Sequence, residues 1–533
     1  MIAASIPSDV GQAHLGFTDF SAIALYMAAV AGIAIWSKMT EKGGGESEYF
    51  LAGRRMNWIV VSVAMFAALC SSISFGAVPS EIYQHGMALF LVSVLIPFTA
   101  PLGVKLFLRF FFHHPTLTAY EYLESRFDLG TRLIGSGLFF TVRVFYAAVI
   151  YYSTAVLLGT LTGWPGIGII LAIGIFTTIY TTFGGMKAVI YTDALQAIVL
   201  VLGLCAIAWR IMATTNTTPW DLYTYASAQG RGFEVLVSPA FWQFDLHTRF
   251  NGWLLLIVLI TAPMITLSSD QLVIQRLLTS KNYREARRAT YTNYWLNIPL
   301  GLPSFMIGWG LLYFYNRFPH KVPVGLSPDR LMAFFIGTEL PAPLPGLLVA
   351  ALLAATMGTT SSVMNSLATV VFHDFFLRLG WIKPGSKKEP QLCRILSFSA
   401  GVLAMAFSCL LLRAGETVTT TIMETAGLWC SLTSIIFAAF LLGVTVPWVS
   451  AHAMKWGLAI GGILTLGLPL ICYYPVPVAE RISFAWLWIP GFLVAITLPL
   501  LLSKFWPHQK SVDKLTLWTL GEETTTSPAK SSS

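Results

Sequence analysis

Charged side chains are scarce in this chain. They make up 11% of its 533 residues, whereas hydrophobic side chains make up 56%. Soluble domains carry about 25% charged residues, so this composition excludes an ordinary soluble protein. The long apolar runs also lack the alternation of polar and apolar residues that membrane β-barrels show. The chain must therefore cross the bilayer as helices, because a helix pairs its own backbone polar groups.

Cysteine is also sparse and unpatterned. The six cysteines are scattered, most of them in apolar runs, and none forms a CxxC pair: Cys70, Cys205, Cys393, Cys409, Cys430 and Cys472. This spacing argues against a disulfide framework or a zinc site, and we interpret these residues as small apolar side chains. The short, weakly acidic N-terminus does not have the pattern of a cleavable signal peptide.

Long apolar runs are abundant. About 20 residues of helix cross roughly 30 Å of hydrocarbon, and thirteen stretches meet this requirement. They are 19–38, 57–78, 87–112, 132–161, 165–183, 187–213, 251–277, 289–316, 344–377, 393–413, 417–444, 454–474 and 483–504. An odd number of spans predicts that the two termini lie on opposite sides of the membrane.

The basic residues indicate which side is cytoplasmic, because cytoplasmic loops are enriched in Lys and Arg. With the N-terminus outside, 24 of the 33 basic residues fall on the cytoplasmic side, eight fall outside and Arg143 lies within a span. This bias predicts an extracellular N-terminus and a cytoplasmic C-terminus, and we expect the protein to lie in the plasma membrane. The net charge of +8 then reflects topology and contact with anionic lipid, and not binding to nucleic acid.

Two of the spans contain clusters of hydroxyl-bearing and small residues. One is AALCSSIS at 67–74, and the other is TAPMITLSSD at 261–270. Each begins a group of five spans, two to six and seven to eleven. Interrupted helices at matching positions of two halves indicate a transporter site near the middle of the bilayer, where unwound backbone offers oxygens to a cation. The alternative is that the small residues only permit kinks and close packing.

A third polar segment lies in the ninth span. Five hydroxyl-bearing residues crowd onto about two turns of helix there: Thr359, Thr360, Ser361, Ser362 and Ser366. Hard cations prefer oxygen ligands, so this segment is a candidate for a sodium site. Packing of small residues is again the alternative.

Several ordered motifs resemble those of the sodium:solute symporter family. They are YFLAGRRMNW at 49–58, GAVPSEIYQHGM at 76–87, TAYEYLESRF at 118–127, GGMKAVIYTDALQ at 184–196 and SSVMNSLATVVFHDF at 361–375. The element PSEIY is most similar to the branch that carries monocarboxylates, vitamins and iodide. The resemblance implies an all-α polytopic membrane protein with a LeuT-like 5+5 inverted repeat, one leading helix and two trailing helices.

The same resemblance implies a division of the chain. Residues 1–45 would form an extracellular N-terminus and the leading helix, and 46–445 the transporter core, with repeats at about 56–215 and 250–445. Residues 446–505 would form the trailing helices. The polar remainder, 506–533, is predicted to be a disordered cytoplasmic tail.

The resemblance also implies site residues, with sodium as the co-transported ion. The main sodium site would use Ala67, Cys70, Ala355, Gly358 and Thr359, and Gly358 departs from the serine usual in the family. A possible second sodium site would use Asp193, Ser361 and Ser362, again without a hydroxyl at Gly358. The alternatives for Asp193 are a salt bridge to Lys187 or contact with a helix N-terminus.

The candidate solute residues are Ser74, Ser93, Arg143 and Thr266. The positions that hold the polar set of sugar-carrying members read here as Ser74, Ser93, Pro263 and about Asn297, which disfavours a sugar. Arg143 lies inside a span, where an arginine is a candidate functional residue and its planar fork suits a carboxylate. The alternatives are a pair with Asp270 or Glu424, or a position at the membrane interface.

The predicted function is sodium-driven uptake of a small solute by alternating access, with an organic anion such as a monocarboxylate favoured. Iodide, a vitamin, an acidic sugar or a polyol is the alternative cargo, and proton coupling stays open because of Gly358. A channel would need a filter motif or a continuous polar stripe, and neither is evident. An enzyme would need a catalytic cluster, for which His113-His114 and His373-Asp374 are the nearest candidates. The oligomeric state is not indicated.

Overall fold

The computed structural model describes residues 15–40, 46–113, 117–321, 323, 326–386, 388–414, 421–477, 480–507 and 512–519. Within them, eleven helices are long and apolar enough to cross a membrane, and two further pairs of bent helices bring the number to thirteen when each pair is one span. Counted in this way, the spans number thirteen, as predicted. The first 14 residues and the low-complexity end of the predicted tail, 520–533, lie outside the described residues.

The first repeat follows the leading helix α1, Phe17–Met39. It contains α2 (Trp58–Leu69 and Ser72–His85), α3 (Leu91–Phe112), α4 (Leu129–Thr162), α5 (Gly166–Phe183) and α6 (Gly185–Thr215). The second contains α7 (Gly252–Ser268 and Gln271–Leu278), α8 (Tyr283–Arg317), α9 (Leu344–Leu377), α10 (Glu389–Ala414) and α11 (Ile422–Thr445). The trailing helices are α12 (Ala451–Cys472) and α13 (Phe484–Leu502).

Shorter helices connect the spans. They are Glu46–Leu51, Glu121–Arg126, Pro219–Ala228, Glu234–Val237 and Leu331–Glu339. Pro219 at the first turn and the reciprocal cap between Thr218 and Asp221 begin the helix Pro219–Ala228, since proline and a capping hydroxyl both suit a helix start.

Both α2 and α7 are broken, as the sequence predicts. The two halves of α2 meet at a bend of 63°, and those of α7 at 57°. Cys70 and Ser71 are extended, and the Ser71 hydroxyl accepts from the Ile73 amide at 3.2 Å. Asp270 caps the second half of α7 by accepting from the Leu272 amide at 3.1 Å. A side chain thus satisfies one of the amide groups that each break frees.

Helix α9 lies at the centre of the bundle. Between Pro345 and Val370 all of its residues except Leu347 are buried, and the helix packs against α1, α4, α6 and α10. Its many alanines and hydroxyl-bearing residues suit this position, because small side chains let neighbouring helices approach closely. The hydroxyl-rich segment therefore faces protein and not lipid.

A glycine forms the joint between α5 and α6. Gly185 has φ 59° and ψ −168°, and a Cβ there would lie 3.1 Å from the carbonyl oxygen of Tyr49. Only glycine adopts this conformation readily. The chain therefore requires a glycine at the point where α5 ends and α6 begins.

Three arginines that sequence analysis places on the cytoplasmic side are buried. Arg126 and Arg276 are 0% exposed and Arg132 is 6% exposed. Arg126 donates to the carbonyl oxygens of Gly443, Val446 and Pro447 at 2.8 to 3.1 Å. These residues are parts of the packed structure, so they contribute little to the charge of the loop surface.

Candidate functional site

Oxygen atoms from α2 and α9 meet at the first break. The Thr359 hydroxyl lies 3.4 Å from the carbonyl oxygen of Cys70 and 3.3 Å from that of Ala355, and Thr359 is 0% exposed. The break at Cys70 is what frees this carbonyl from helical pairing. Three of the five residues predicted for the main sodium site therefore lie together. Ala67 is one turn earlier on α2, buried and in the same apolar cluster as Ala197 of α6.

Gly358, the fifth residue of that set, faces α6. A Cβ at this position would lie 2.5 Å from Oε1 of Gln196, so a larger residue would require Gln196 to move. The carbonyl oxygen of Gly358 accepts from the hydroxyls of Ser361 at 3.0 Å and Ser362 at 2.6 Å. The space that a serine would fill is thus occupied by the amide of Gln196, a residue that sequence reasoning missed.

Asp193 forms a fully buried ion pair with Arg276 of α7. Its Oδ2 lies 2.6 Å from Nη2 of Arg276, and both side chains are 0% exposed. The Ser362 hydroxyl donates to the same carboxylate oxygen at 3.3 Å and also contacts Arg276. Ser362, one of the residues predicted for this site, therefore contacts Asp193, and Ser361 is the residue before it on α9. Arg276 was not among the predicted partners of Asp193.

Lys187 is not the partner of Asp193. Its ammonium donates to the hydroxyl of Thr40 at 2.8 Å and to the Thr40 carbonyl at 3.2 Å, and it lies 5.1 Å from the ring centre of Trp36. A salt bridge between Lys187 and Asp193 was one alternative for the aspartate, and this geometry rules it out.

Arg143 pairs with Asp270 at the second break. Nη2 of Arg143 contacts Oδ2 of Asp270, and the guanidinium carbon lies 5.4 and 5.8 Å from the ring centres of Tyr146 and Phe139. Of the alternatives for Arg143, the pair with Asp270 is the one observed. Its Nε has no hydrogen-bond partner among the described residues.

Helix α4 contacts both breaks. Two turns beyond Arg143, the carbonyl oxygen of Ile150 accepts from the Ser72 hydroxyl at 2.9 Å. One face of α4 therefore connects the unwound part of α2 with that of α7. A binding site between the two breaks would be lined by this face.

The other candidate solute residues are partly exposed. Ser74 lies on the second half of α2 and Ser93 on α3, which packs against α7. The Thr266 hydroxyl bonds to its own helix, at the Ala262 carbonyl, at 2.8 Å. Only Arg143 of the four makes a charged contact with a broken helix among the described residues.

The pair His373-Asp374 belongs to a structural network. Asp374 is 0% exposed and accepts from Thr118 at 2.8 Å and from Nε of Arg132 at 3.0 Å, with Ser136 on its other oxygen. Its carboxylate lone pairs are used by these donors. His114, of the other pair considered, lies outside the described residues.

Two broken helices at equivalent positions, with buried oxygens beside the first break and a buried ion pair beside the second, are typical of a secondary transporter. Comparison with known proteins agrees with this class. The family model described as "Sodium:solute symporter family" matches residues 49–461. The chain belongs to the sodium:solute symporter family, and sodium is its co-transported ion.

Similar proteins include sodium-coupled carriers of two kinds. The sodium/sialic acid symporter SiaT of Proteus mirabilis is 26% identical, with 85% of this chain and 90% of that protein covered. Human sodium-coupled monocarboxylate transporter 2 is 27% identical, with 93% of this chain and 75% of that protein covered.

Two solved structures show the fold. A substrate-bound, outward-open structure of a Na+-coupled sialic acid symporter has a TM-score of 0.83 at 23% identity, covering 93% of this chain and 100% of that one. Mhp1, a nucleobase-cation-symport-1 family transporter, has a TM-score of 0.51 at 14% identity, covering 86% and 93%. The predicted all-α, LeuT-like architecture is thereby confirmed.

Proposed function

We propose that this protein takes up a small organic anion, with a monocarboxylate the favoured class, by coupling it to inward sodium movement through alternating access. The observation that carries the proposal is the oxygen cluster at the first break, where the Thr359 hydroxyl lies 3.4 Å from the Cys70 carbonyl. An unwound carbonyl beside a hydroxyl in a buried setting suits a hard cation.

The main sodium ion would be held by the carbonyl oxygens of Ala67, Cys70 and Ala355 and the Thr359 hydroxyl. Gly358 contributes no side-chain oxygen to this set. Sodium bound here would join the break of α2 to α9 and so fix the angle between the two halves of α2. That fixed angle would prepare the neighbouring solute site.

The solute would bind between the breaks, beside Arg143. Arg143 is 8% exposed, and only its Nη2 contacts Asp270, so the Nε edge remains available for a carboxylate. An arginine fork binds carboxylates well because it donates two parallel hydrogen bonds. The similar transporters are named for sialic acid and for monocarboxylates, and both kinds of solute carry a carboxylate. Ser74, Ser93 and Thr266 would supply the neutral hydrogen bonds.

The energy source would be the sodium gradient and the membrane potential. One charge crossing 100 mV is worth about 2.3 kcal/mol. Coupling requires sodium and solute to bind the same conformation, after which the repeats rock to open inward. Consistent with this direction, we place the protein in the plasma membrane with its N-terminus outside and its C-terminus in the cytoplasm.

Uptake by purified protein in vesicles tests this proposal. We expect lactate, pyruvate or sialic acid to accumulate with a sodium gradient and not when choline replaces sodium. Iodide, biotin and glucose in the same panel test the other cargo classes. Accumulation that is equal in choline, with no pH difference across the membrane, would refute sodium coupling.

The Thr359→Ala variant tests the sodium site itself. Loss of one oxygen ligand is expected to raise the half-saturating sodium concentration roughly tenfold, since a bond to a charged group is worth about 1.5–3 kcal/mol. Thr465→Ala is the matched control, because Thr465 is equally buried and bonds to its own helix at 2.9 Å, in trailing helix α12. An equal effect in both variants would assign Thr359 a merely structural role.

A further inference from the structure

Two buried oxygen atoms face Gly358 without a hydrogen-bond donor among the described residues. They are Oδ1 of Asp193 and Oε1 of Gln196. A Cβ on Gly358 would lie 2.5 Å from Oε1 of Gln196 and 3.5 Å from Oδ1 of Asp193. The two side chains are 0% and 1% exposed. Leaving a buried acceptor unpaired costs about 1–3 kcal/mol, so two at one place call for a shared partner.

Neighbouring residues orient both of these oxygen atoms toward Gly358. Asp193 and Gln196 are three residues apart on α6, so their side chains share one face of the helix. Nε2 of Gln196 donates to the Tyr26 hydroxyl at 3.3 Å, which turns Oε1 away from Tyr26 and toward Gly358. On Asp193, Arg276 contacts Oδ2 at 2.6 Å and leaves Oδ1 without a donor.

The chemistry of these atoms suits a cation. A carboxylate oxygen and an amide oxygen can only accept, so they cannot bond to each other. The hydroxyls of Ser361 and Ser362 bond to the carbonyl oxygen of Gly358 at 3.0 and 2.6 Å, and that of Ser362 also lies 3.3 Å from Oδ2 of Asp193. Because Arg276 already compensates the charge of Asp193, the set suits a monovalent ion better than a divalent one.

We propose that Gln196 is a sodium ligand of this chain, whose amide oxygen replaces the hydroxyl that Gly358 lacks and completes a second site with Asp193, Ser361 and Ser362. This inference rests on the proposed sodium-coupled function. Gly358 and Gln196 form a matched pair, because a serine at 358 would place its Cβ 2.5 Å from the present position of Oε1. The glycine thus provides the room that the amide occupies.

Gln196→Met tests the ligand, because methionine keeps the length of the side chain and removes the amide oxygen. We expect the half-saturating sodium concentration to rise roughly tenfold. It is measured twice, by solute uptake in vesicles and by the thermal stabilisation that sodium, titrated against choline, gives the purified protein. An unchanged value in both measurements overturns the inference, while sodium-dependent uptake by the unmodified protein leaves the proposed function intact.

The double variant Gln196→Ala, Gly358→Ser restores an oxygen by another route. Truncating Gln196 makes room for the serine, so we expect its sodium dependence to return toward that of the unmodified protein. Tyr26→Phe is the structural control, since it removes the bond to Nε2 and keeps Oε1. If Tyr26→Phe matches Gln196→Met and the double variant shows no recovery, Gln196 acts only through Tyr26 and the inference fails. Should Gln196→Met not fold, the double variant decides alone.

Discussion

A buried ion pair connects the two repeats at the level of single residues. Asp193 belongs to α6, the last helix of the first repeat, and Arg276 to the second half of broken α7. Ionised groups are costly to bury and usually remain only when each is paired. The pair therefore fixes the position of the broken helix relative to α6 and α9.

Removing one member of this pair is expected to be strongly destabilising. Asp193→Asn or Arg276→Met leaves one buried charge without compensation, at a cost of about 3–5 kcal/mol. The double variant Asp193→Asn, Arg276→Met removes both charges, so its loss should be smaller than the sum of the single losses. The measurement is the apparent melting temperature of each variant in detergent without sodium. Strictly additive losses would show that the two charges do not stabilise each other.

Arg143 should control solute affinity and not sodium affinity. In the double variant Arg143→Met, Asp270→Asn, no charge is left unpaired. The carboxylate of the solute then loses the hydrogen-bond donors of the guanidinium group. We expect the half-saturating solute concentration to rise about tenfold to a hundredfold, the worth of a charged hydrogen bond. Arg143→Lys should also weaken uptake, because lysine lacks the planar fork. Initial uptake rates at saturating sodium measure both effects.

The control for this prediction is Asp270→Asn, which keeps the arginine. If Arg143 serves only to pair with Asp270, then Asp270→Asn and the double variant should impair uptake alike. A double variant with the solute affinity of the unmodified protein would contradict a role for Arg143 in binding.

The sequence identifies a single functional candidate where a residue differs sharply from its neighbours, but it does not identify the residue that pairs with it. Asp193 and Arg143 stand out because they are charged within apolar spans. Their partners lie 83 and 127 positions away in the chain, and no local pattern connects residues at that separation. Gln196 gives a weaker signal than a charged residue, because a neutral amide is less costly to bury in a span, and its proposed role depends on the missing side chain of Gly358.

At the level of helices, the sequence indicated which segments contain the breaks, but it did not indicate the residues at which the helices break. The break in α2 falls at Cys70 and Ser71, inside the predicted cluster 67–74. That of α7 falls at Ser269 and Asp270, whereas Pro263 lies within the continuous helix Gly252–Ser268. Proline alone did not decide the break. The carboxylate of Asp270 stabilises the break, because it caps the second half of α7 and pairs with Arg143.

The contact between α2 and α8 depends on a glycine. A Cβ on Gly308 would lie 2.6 Å from Cβ of Ile82 and 3.0 Å from the carbonyl oxygen of Pro79. Gly308→Ala should therefore push the two helices apart and destabilise the protein by about 1–3 kcal/mol, as overpacking typically does. The measurement is the apparent melting temperature in detergent, together with uptake, because α2 carries the proposed sodium site.

Gly137→Ala of α4 is the control for this contact. Nothing lies within 4 Å of a Cβ there, so the better helix propensity of alanine should leave stability unchanged or slightly higher. If Gly308→Ala and Gly137→Ala behave alike, close approach of α2 and α8 is not what requires the glycine.

For the whole molecule, the lengths of the apolar runs predicted the number of spans, whereas the packing of the spans against one another was not predictable from the sequence. Thirteen spans follow from apolar length alone. The burial of Arg126, Arg132 and Arg276 could not be read from length, because each sits beside a span end where loop and packed interior look the same in sequence. Removing them from the loop count still leaves the larger share of basic residues on the predicted cytoplasmic side.

The orientation depends on whether bent α7 crosses the membrane or turns back within it. Asp221 precedes α7 and Arg284 follows it, and both side chains are exposed. If α7 crosses, a cysteine at 221 should react with a membrane-impermeant maleimide on intact cells, and one at 284 only after permeabilisation. The unmodified chain sets the background from its own free cysteines. Labelling of both positions from the same side would mean that α7 turns back within the membrane. The number of crossings would then be even, and the two termini would lie on the same side.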